Sequence, residues 1–321
     1  MSNINLPNSM NLGENKGSAT QDADGSFLRF RSDNADYVNG DVIRIEIPCS
    51  RSGLWLHPCD SFISLNMTMP TFTVTGGTYK LDQTIMSAIR QLRIYHSSNL
   101  LVSINEYGRL ANAMLDVMVT ASERLSSTIS LGIGASQTTG TGAEDFSSVN
   151  TESLGCYGHV LESNTTYNYA FTLMCPILGS LTSKSIPIGL MTGSLYIELV
   201  LDDITKIITS RTGINLVGEA GGITANGITS ANQMKFSNIY YNAKCTQLNK
   251  NIDLILQNAL LQGGRSITIP STDFKLEQKS LAAGSQSCNE KLSFNFSSCK
   301  FLWWWLVNTT TANGSALANN N

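Results

Sequence analysis

Residues 38–48, VNGDVIRIEIP, place the turn signal Asn39-Gly40 directly before a run in which Ile43, Ile45 and Ile47 alternate with polar residues. Alternation of apolar and polar residues predicts a β-strand with one buried face, and Asn-Gly is a strong signal for a tight turn. This stretch therefore predicts a β fold in which turns separate short strands.

The same pattern extends along the chain in both directions. A short strand starts at Leu28 and Phe30, and further strands are predicted at residues 62–69, 72–74, 92–94, 100–102, 167–174, 195–201 and 234–241. Turn residues such as Gly76-Gly77 and Ser97-Ser98-Asn99 separate them. Short strands with frequent turns are typical of a sandwich or barrel, so we assign the chain to the all-β class.

Two short helical insertions interrupt the strands. The first follows Asp82, and the second is predicted to begin after an N-cap at Asn105. The second helix carries an apolar stripe at spacings of three and four residues, made of Tyr107, Leu110, Ala111, Met114, Leu115 and Met118. We expect this stripe to pack on a sheet; a methionine-rich groove for a partner is the alternative.

A second β unit starts after Lys244. A helix is predicted over residues 252–260, closed by Gly263-Gly264, and strands follow at residues 267–270, 292–296 and 301–307. Trp303-Trp304-Trp305 puts rings on both faces of the last strand, which indicates a buried core strand or an interface. These strands are about half of the roughly eight that a jelly roll needs. We therefore predict a first domain at 27–245 and a reduced second domain at 246–321.

Four segments that connect or flank the predicted strands are candidate contact elements. They are the N-terminal arm 1–26, the loops 121–155 and 211–230, and the tail after Val307. The arm either threads to a neighbouring subunit or is an ordinary flexible terminus. Its charges are mixed, with Lys16 set against Glu14, Asp22 and Asp24, so it does not resemble a basic arm that binds packaged nucleic acid.

The composition of the 321 residues excludes several classes of protein. Only 14% are charged, against about 25% in an ordinary soluble domain, while 42% are hydrophobic. A surface built from Ser, Thr, Asn and Gly suits a protein whose faces meet other protein, and it also occurs in other secreted or phage β proteins. The net charge of −3 gives no general electrostatic footprint for nucleic acid, and we expect no sequence-specific nucleic-acid partner. With no signal-peptide pattern and no stretch approaching about 20 apolar residues, we expect a soluble chain that no signal peptide exports.

The residue types that carry catalysis are few and scattered. The three histidines, His57, His96 and His159, lie in no metal-binding or catalytic motif, and no nucleophile elbow or phosphate-binding loop is present. Asp202-Asp203 is the best candidate for a cation ligand, but a plain turn pair explains it better. The seven cysteines, Cys49, Cys59, Cys156, Cys175, Cys245, Cys288 and Cys299, form no metal pattern and are expected to be reduced core residues. We therefore predict no enzyme activity, no cofactor and no catalytic or metal site.

One succession of elements resembles a known family. It runs from Ile89-Arg-Gln-Leu-Arg-Ile-Tyr95 through Asn99-Leu-Leu101 and Ile104-Asn-Glu-Tyr107 into the helix that ends at Met118. The strand 236–240, the following helix and Ile267-Thr-Ile-Pro270 continue the match. In order and spacing, residues 27–307 resemble the double jelly-roll major capsid proteins of tailless icosahedral DNA viruses, including those of bacteriophages.

The resemblance implies a viral structural protein in which 27–245 and 246–321 are two jelly rolls, with the second barrel shortened or completed in another way. Three chains would form a pseudo-hexagonal capsomer, and capsomers an icosahedral shell. Partners would be other copies, penton or minor capsid proteins, and an internal membrane or the genome on the inner side. The chain would reside in the virion after assembly in the host cytoplasm or nucleus.

Two other functions share the predicted fold. A carbohydrate- or receptor-binding protein such as a phage fibre or spike head would present an exposed aromatic platform and would bind sugar. A cupin-like enzyme would need histidine and carboxylate ligands clustered inside the barrel, which three dispersed histidines do not supply.

Overall fold

The computed structural model describes residues 23–71, 77–81, 83–120, 123, 127–132, 160–182, 184–212 and 233–263, with isolated positions between 267 and 302. The strands are β1 (Ala23–Arg31), β2 (Asp36–Val38), β3 (Val42–Pro48), β4 (Leu54–Thr68), β5 (Gly77–Leu81), β6 (Ile89–His96), β7 (Asn99–Asn105), β8 (Val160–Leu161), β9 (Thr166–Phe171), β10 (Ser194–Leu201), β11 (Ile208–Thr212) and β12 (Lys235–Leu248). The helices are α1 (Tyr107–Met118), α2 (Thr128–Leu131), α3 (Ile204–Ile207) and α4 (Lys250–Gly263), with a 3₁₀ turn at Ile85–Ala88. The predicted all-β fold with short helical insertions is confirmed.

Two antiparallel sheets form the body of the protein. The first has the order β1-β12-β4-β9, with β2 also paired to β12, and the second has the order β3-β10-β6-β7. If the eight strands on these two paths are numbered along the chain, the orders become 1-8-3-6 and 2-7-4-5. Strand 1 thus pairs with 8, 2 with 7, 3 with 6 and 4 with 5, as in one antiparallel ribbon of eight strands rolled into two sheets. This is a complete jelly roll.

The alternation read from the sequence determines which face of each strand is buried. Ile43, Ile45 and Ile47 are fully buried, while the residues between them are exposed. Side chains from both sheets belong to one hydrophobic cluster, which includes Ile197 of β10 and Phe236 of β12. The two sheets therefore share one core, and each strand contributes every second residue to it.

Two bulges shift this alternation within the longest strand pair. The register between β12 and β4 changes between Ser237 and Tyr240 and again between Asn242 and Lys244. At the first shift Asn238 has a φ of 51°, a left-handed conformation that asparagine tolerates better than most residues. The second register shift lies opposite Cys59 and Asp60. Before these two residues the even-numbered residues of β4 are buried, and after them the odd-numbered residues are buried. Each bulge lets a long strand bend around the core.

The jelly roll has two different ends. Ala23 at the start of β1 pairs with Leu248 at the end of β12, so the chain enters and leaves the barrel at one end, here called the terminus end. Because successive strands run in opposite directions, the connections 32–41, 69–88, 106–165 and 202–234 all lie at the other end, called the loop end. The chain therefore enters and leaves the barrel at the end opposite these four connections, and the connection 172–193 lies at the terminus end.

A small third sheet covers the loop end. It has the order β11-β5-β8, and each strand comes from a different long connection. The 3₁₀ turn below it is capped by Thr84, whose hydroxyl accepts a hydrogen bond from Met86 N (3.2 Å) and donates one to Asn112 Oδ1 of α1 (2.6 Å). These non-local contacts join three loops into one structure.

Helix α1 lies where the sequence predicts it, but its start and end differ from the prediction. The N-cap is Glu106 in a left-handed conformation, not Asn105, whose side-chain oxygen instead accepts a hydrogen bond from Gln91 Nε2 (2.6 Å). The predicted stripe from Tyr107 to Leu115 is buried, whereas Met118 is exposed because the helix ends there. The Asn105 prediction was wrong because a neighbouring strand competes for its side chain.

The domain boundaries stay a prediction. Strand β1 begins at Ala23, four residues before the predicted boundary at residue 27, and β12 continues to Leu248. Helix α4 agrees with the helix predicted before Gly263-Gly264. The strands predicted at 292–296 and 301–307 and the three tryptophans lie outside the described residues apart from Leu302, so the second barrel is not described.

Candidate assembly surfaces

His57 has the most structured surroundings of the predicted candidates. It lies on β4, where Nε2 is 2.7 Å from Thr246 Oγ1 and Nδ1 is 2.8 Å from Ser185 Oγ. A neutral imidazole donates one of these hydrogen bonds and accepts the other. Burial lowers the pKa of His57 below its ordinary 6.5, the positive charge of Lys244 lowers it further, and Asp60 opposes the shift. The ring thus joins a strand to a loop rather than presenting a base to solvent.

This environment predicts a pH dependence of stability. Because the folded protein binds the His57 proton less readily than the unfolded chain, the free energy of unfolding falls as the pH drops below 6.5 toward the folded pKa. We expect His57→Gln to remove that contribution. Urea unfolding at about pH 7.5 and about pH 5.5 should show a larger loss of stability in the wild type than in the variant. If the wild type and the variant lost the same stability between the two pH values, the proposed effect of His57 burial would be wrong.

The other candidate residues make structural contacts. His96 Nε2 is 2.7 Å from the carbonyl oxygen of Thr192 at the terminus end. The Asp202 carboxylate accepts a hydrogen bond from the backbone N–H of Asp203 (2.8 Å) and lies 3.6 Å from Lys206 Nζ, as in a helix cap. Among the described residues no cluster of histidine, cysteine and carboxylate groups could hold a metal. His159 lies outside those residues, and the absence of catalytic and metal residues stays a prediction.

The thiols divide into buried and exposed groups. Cys49, Cys175 and Cys245 are buried, and burial raises the pKa of Cys175 to about 12 and that of Cys245 to about 11. Such thiols are unreactive packing groups, as expected from the sequence. Cys59 and Cys299 are exposed, so the expectation of core residues does not hold for them, and Cys156 and Cys288 lie outside the described residues.

The outer face of the first sheet is partly aromatic. Phe27 of β1 is 62% exposed, and its ring centroid is 6.4 Å from that of Phe62 on β4 at an interplanar angle of 58°. The guanidinium of Arg29 lies 5.0 Å from the centre of the Tyr240 ring, a cation–π contact. The tilted phenylalanine pair forms a partly exposed apolar surface.

A groove continues this surface toward the helices. It has a volume of about 430 Å³ and is lined by Phe62, Met86, Leu115, Ser127, Ser130, Leu131, Ala170, Phe171, Thr172, Met174 and Ser180. The lining carries no charged side chain, so nothing in it would favour a charged ligand.

The outer face of the second sheet is polar and internally paired. Arg44 stacks over the Tyr196 ring at 4.2 Å, and Arg93 lies 3.8 Å from Glu198. The Arg93–Glu198 pair is only partly exposed, but at 3.8 Å and within reach of screening water it contributes little to stability. This face is compatible with solvent or with a hydrated contact.

The two lateral sides of the sandwich differ. On the side called the closed side, β1 and β3 are joined by the bridge between Ser32 and Ile45 and by a hydrogen bond from Asp33 N to Arg44 O (2.9 Å). On the side called the open side, β7 and β9 are the outermost strands, and no backbone hydrogen bond between described residues joins them. Within the described part of the chain, the edges of β7 and β9 therefore have no backbone partner on this side.

Helix α4 extends from the terminus end with apolar residues on its outer face. Leu254 and Ile255 are both about half exposed, whereas Asp253 is buried against the barrel. One carboxylate oxygen of Asp253 accepts hydrogen bonds from Ser52 Oγ (2.5 Å) and Gln257 Nε2 (2.8 Å). Asp253 thus anchors the helix to the turn between β3 and β4. No helix within the described ranges is long and apolar enough to span a membrane.

The predicted contact elements lie largely outside the described residues. Of the arm only residues 23–26 are described, as part of β1, and of the loop 121–155 only Glu123 and 127–132. From the loop 211–230 only residues 211–212 are described, and the tail after Val307 lies outside. The sequence missed the surfaces described above, because exposed apolar residues on strands and helices are recognisable only once the fold shows which faces are buried.

No protein-family model matches the chain, and no curated protein matches it. Solved structures with a similar fold include viral major capsid proteins, the class that the sequence resembles. They include the capsid of the PBCV-1 virus (TM-score 0.42, 11% identity, 73% of this chain and 44% of that chain), the Faustovirus major capsid protein (0.40, 10%, 74% and 56%) and the mavirus major capsid protein (0.32, 10%, 79% and 53%). The chain thus spans about half the length of these proteins.

Proposed function

We propose that this chain is the major capsid protein of a tailless icosahedral DNA virus and that it works by assembling with copies of itself. Three copies would form a pseudo-hexagonal capsomer, and capsomers, together with penton or minor capsid proteins, would close the shell. The protein would reside in the virion after assembly in the host cytoplasm or nucleus. It would not act as an enzyme.

The observation that carries this proposal is the separation of the two ends of the jelly roll. Barrels can stand side by side with all loop ends on one surface of a shell. That surface then carries the three joined loops, and the opposite surface carries α4 and the points where the chain enters and leaves the barrel. Neighbouring barrels would then meet through their flanks, which include the outer face of the first sheet with the Phe27–Phe62 surface and the groove. Residues 246–321 would supply a reduced second unit next to the first barrel.

No single residue has to supply most of the binding free energy of assembly. A specific contact buries about 1,600 Å², and symmetry repeats each weak contact around a closed shell. The lining of the groove contains no charged side chain, so no charge must be desolvated where copies meet there. The loop end would face outward, and the terminus end would face the genome or a membrane.

Labelling of introduced thiols tests the proposed orientation. Ala35 at the loop end and Ser98 at the terminus end are both exposed, so Ala35→Cys and Ser98→Cys form a matched pair. Both variants are made in a background with serine at Cys59, Cys156, Cys288 and Cys299, which leaves the three buried thiols. A maleimide on a polymer too large to enter a closed shell should label both variants when unassembled. In intact particles it should label Ala35→Cys alone, whereas equal labelling of both would contradict the orientation.

A further inference from the structure

The outer edge of β7 has no strand partner among the residues that the structure describes. No described residue forms a hydrogen bond to the backbone along this edge of Asn99–Asn105. Natural proteins usually guard such an edge with charged residues, proline or a covering loop. The sequence of β7, NLLVSIN, contains neither charge nor proline. By contrast, β3 at the other edge of the same sheet carries Arg44, Glu46 and Pro48 and is bridged to Ser32.

Two leucines make the β7 edge apolar as well as open. Leu100 is 52% exposed and Leu101 is 44% exposed. The register between β6 and β7 shifts between Ile94 and Tyr95, so Leu101 is an extra residue at a bulge and stays outside the core. An uncharged strand edge with exposed leucines fits an added strand whose backbone pairs with β7 and whose side chains cover the leucines.

The first thirteen residues of this chain match that requirement. Met1–Gly13 contains no charged side chain, and within residues 2–13 the large apolar residues Ile4, Leu6, Met10 and Leu12 all fall at even positions. Alternation of this kind suits an extended strand, and Pro7 is tolerated where a strand is added at an edge. The charges of the arm begin only at Glu14.

The position of the arm favours a neighbouring copy as its source. The arm joins β1 at Ala23, at the terminus end, and β7 also begins at the terminus end. Residues 14–22 can span about 30 Å when extended. The arm leaves from the closed side, whereas β7 lies on the open side of the same barrel. A head-to-tail arrangement in which the closed side of one copy meets the open side of the next would bring the arm of the first copy to β7 of the second.

We propose that residues 2–13 of one copy add a strand to the β7 edge of the adjacent copy. This inference rests on the proposed function, because it uses side-by-side packing with all loop ends on one face. It assigns the arm to one defined edge, so each subunit gives one strand and receives one. A head-to-tail exchange of this kind closes into a ring when the rotation between copies allows it.

Cross-linking between two single variants tests the proposal directly. Copies with Asn5→Cys are mixed with copies with Leu101→Cys before assembly, again with serine at Cys59, Cys156, Cys288 and Cys299. A short bis-maleimide joins the two thiols, and since each thiol adds to one maleimide double bond, no oxidant is needed. We expect a two-chain product in the mixture and none with either variant alone. If the particles assemble but contain no two-chain product, the inference is wrong. A variant that carries both cysteines in one chain provides a further check, because a cross-link formed only within that chain would also overturn the inference.

A charged edge provides a second, independent test. Leu101→Lys should raise the protein concentration at which particles first appear by about tenfold or more, with an unchanged melting temperature. Val117→Lys is the matched control, because Val117 is 70% exposed on α1, away from the edge. Equal assembly of the two variants would overturn the inference but leave the proposed function intact. A wild-type protein that never assembles would overturn the proposed function itself.

Discussion

Gly179→Ala is expected to destabilise the barrel by about 3 kcal/mol or more. Gly179 lies in the turn after β9, and a Cβ atom there would overlap the backbone oxygen of Leu173 and approach Cys175 Sγ to 2.8 Å. That oxygen already accepts a hydrogen bond from Ser180 N (2.8 Å), so it cannot move without breaking the turn. Urea unfolding of the purified variant measures the loss.

Gly25→Ala is the matched control for this substitution. Gly25 lies on β1, where a Cβ atom would meet nothing within 4 Å. The same chemical change should leave stability unchanged or raise it by about 0.5 kcal/mol, because alanine loses less backbone entropy than glycine on folding. Similar effects at the two positions would show that the turn after β9 is not packed as described.

Tyr107→Ala should cost about 4 kcal/mol, the largest effect expected in this chain. Tyr107 is fully buried at the start of α1, and its hydroxyl accepts a hydrogen bond from the backbone N–H of Met174 (2.8 Å). The substitution therefore leaves a cavity and an unpaired N–H at the junction between the helix and the segment after β9. Thermal and urea unfolding, followed by circular dichroism, measure the change.

Two further variants separate the parts of this effect. Tyr107→Phe keeps the ring and removes only the hydrogen bond, so we expect a loss of about 2 kcal/mol. Val117→Ala, on the exposed face of the same helix, should change stability by less than about 0.5 kcal/mol. If Tyr107→Phe matched Tyr107→Ala, the hydrogen bond rather than packing would account for the stability at this site.

The strands that the sequence identifies are those in which local pattern and burial agree. Ile43, Ile45 and Ile47 alternate in the sequence and are buried in the structure, and β10 behaves in the same way over most of its length. The first half of β4 was missed. There Pro58 and the bulge at Cys59 and Asp60 break the period of two, so no continuous alternation marks the strand.

Long-range pairing explains the rest of what sequence reasoning missed. The third sheet brings together short strands from three separate connections, and neither their length nor their composition indicates which strands pair. The order of the two main sheets is likewise fixed by packing between distant segments. The sequence indicated this order only through its resemblance to a family.

The candidate surfaces depend on the same non-local information. Leu100 and Leu101 look like ordinary strand residues in the sequence, and only the position of β7 at a sheet edge makes them exposed. Phe27 and Phe62 lie 35 positions apart and meet because β1 and β4 are both neighbours of β12. What the sequence did indicate was the general character of these surfaces, through its low content of charged residues.

The mass of the purified native protein, measured by light scattering together with negative-stain electron microscopy, tests the central claim most directly. The account predicts trimers of about three times the 34.8 kDa of one chain, or closed shells built from them. A stable monomer at micromolar concentration would contradict it and would favour a jelly-roll protein that binds a carbohydrate or a receptor.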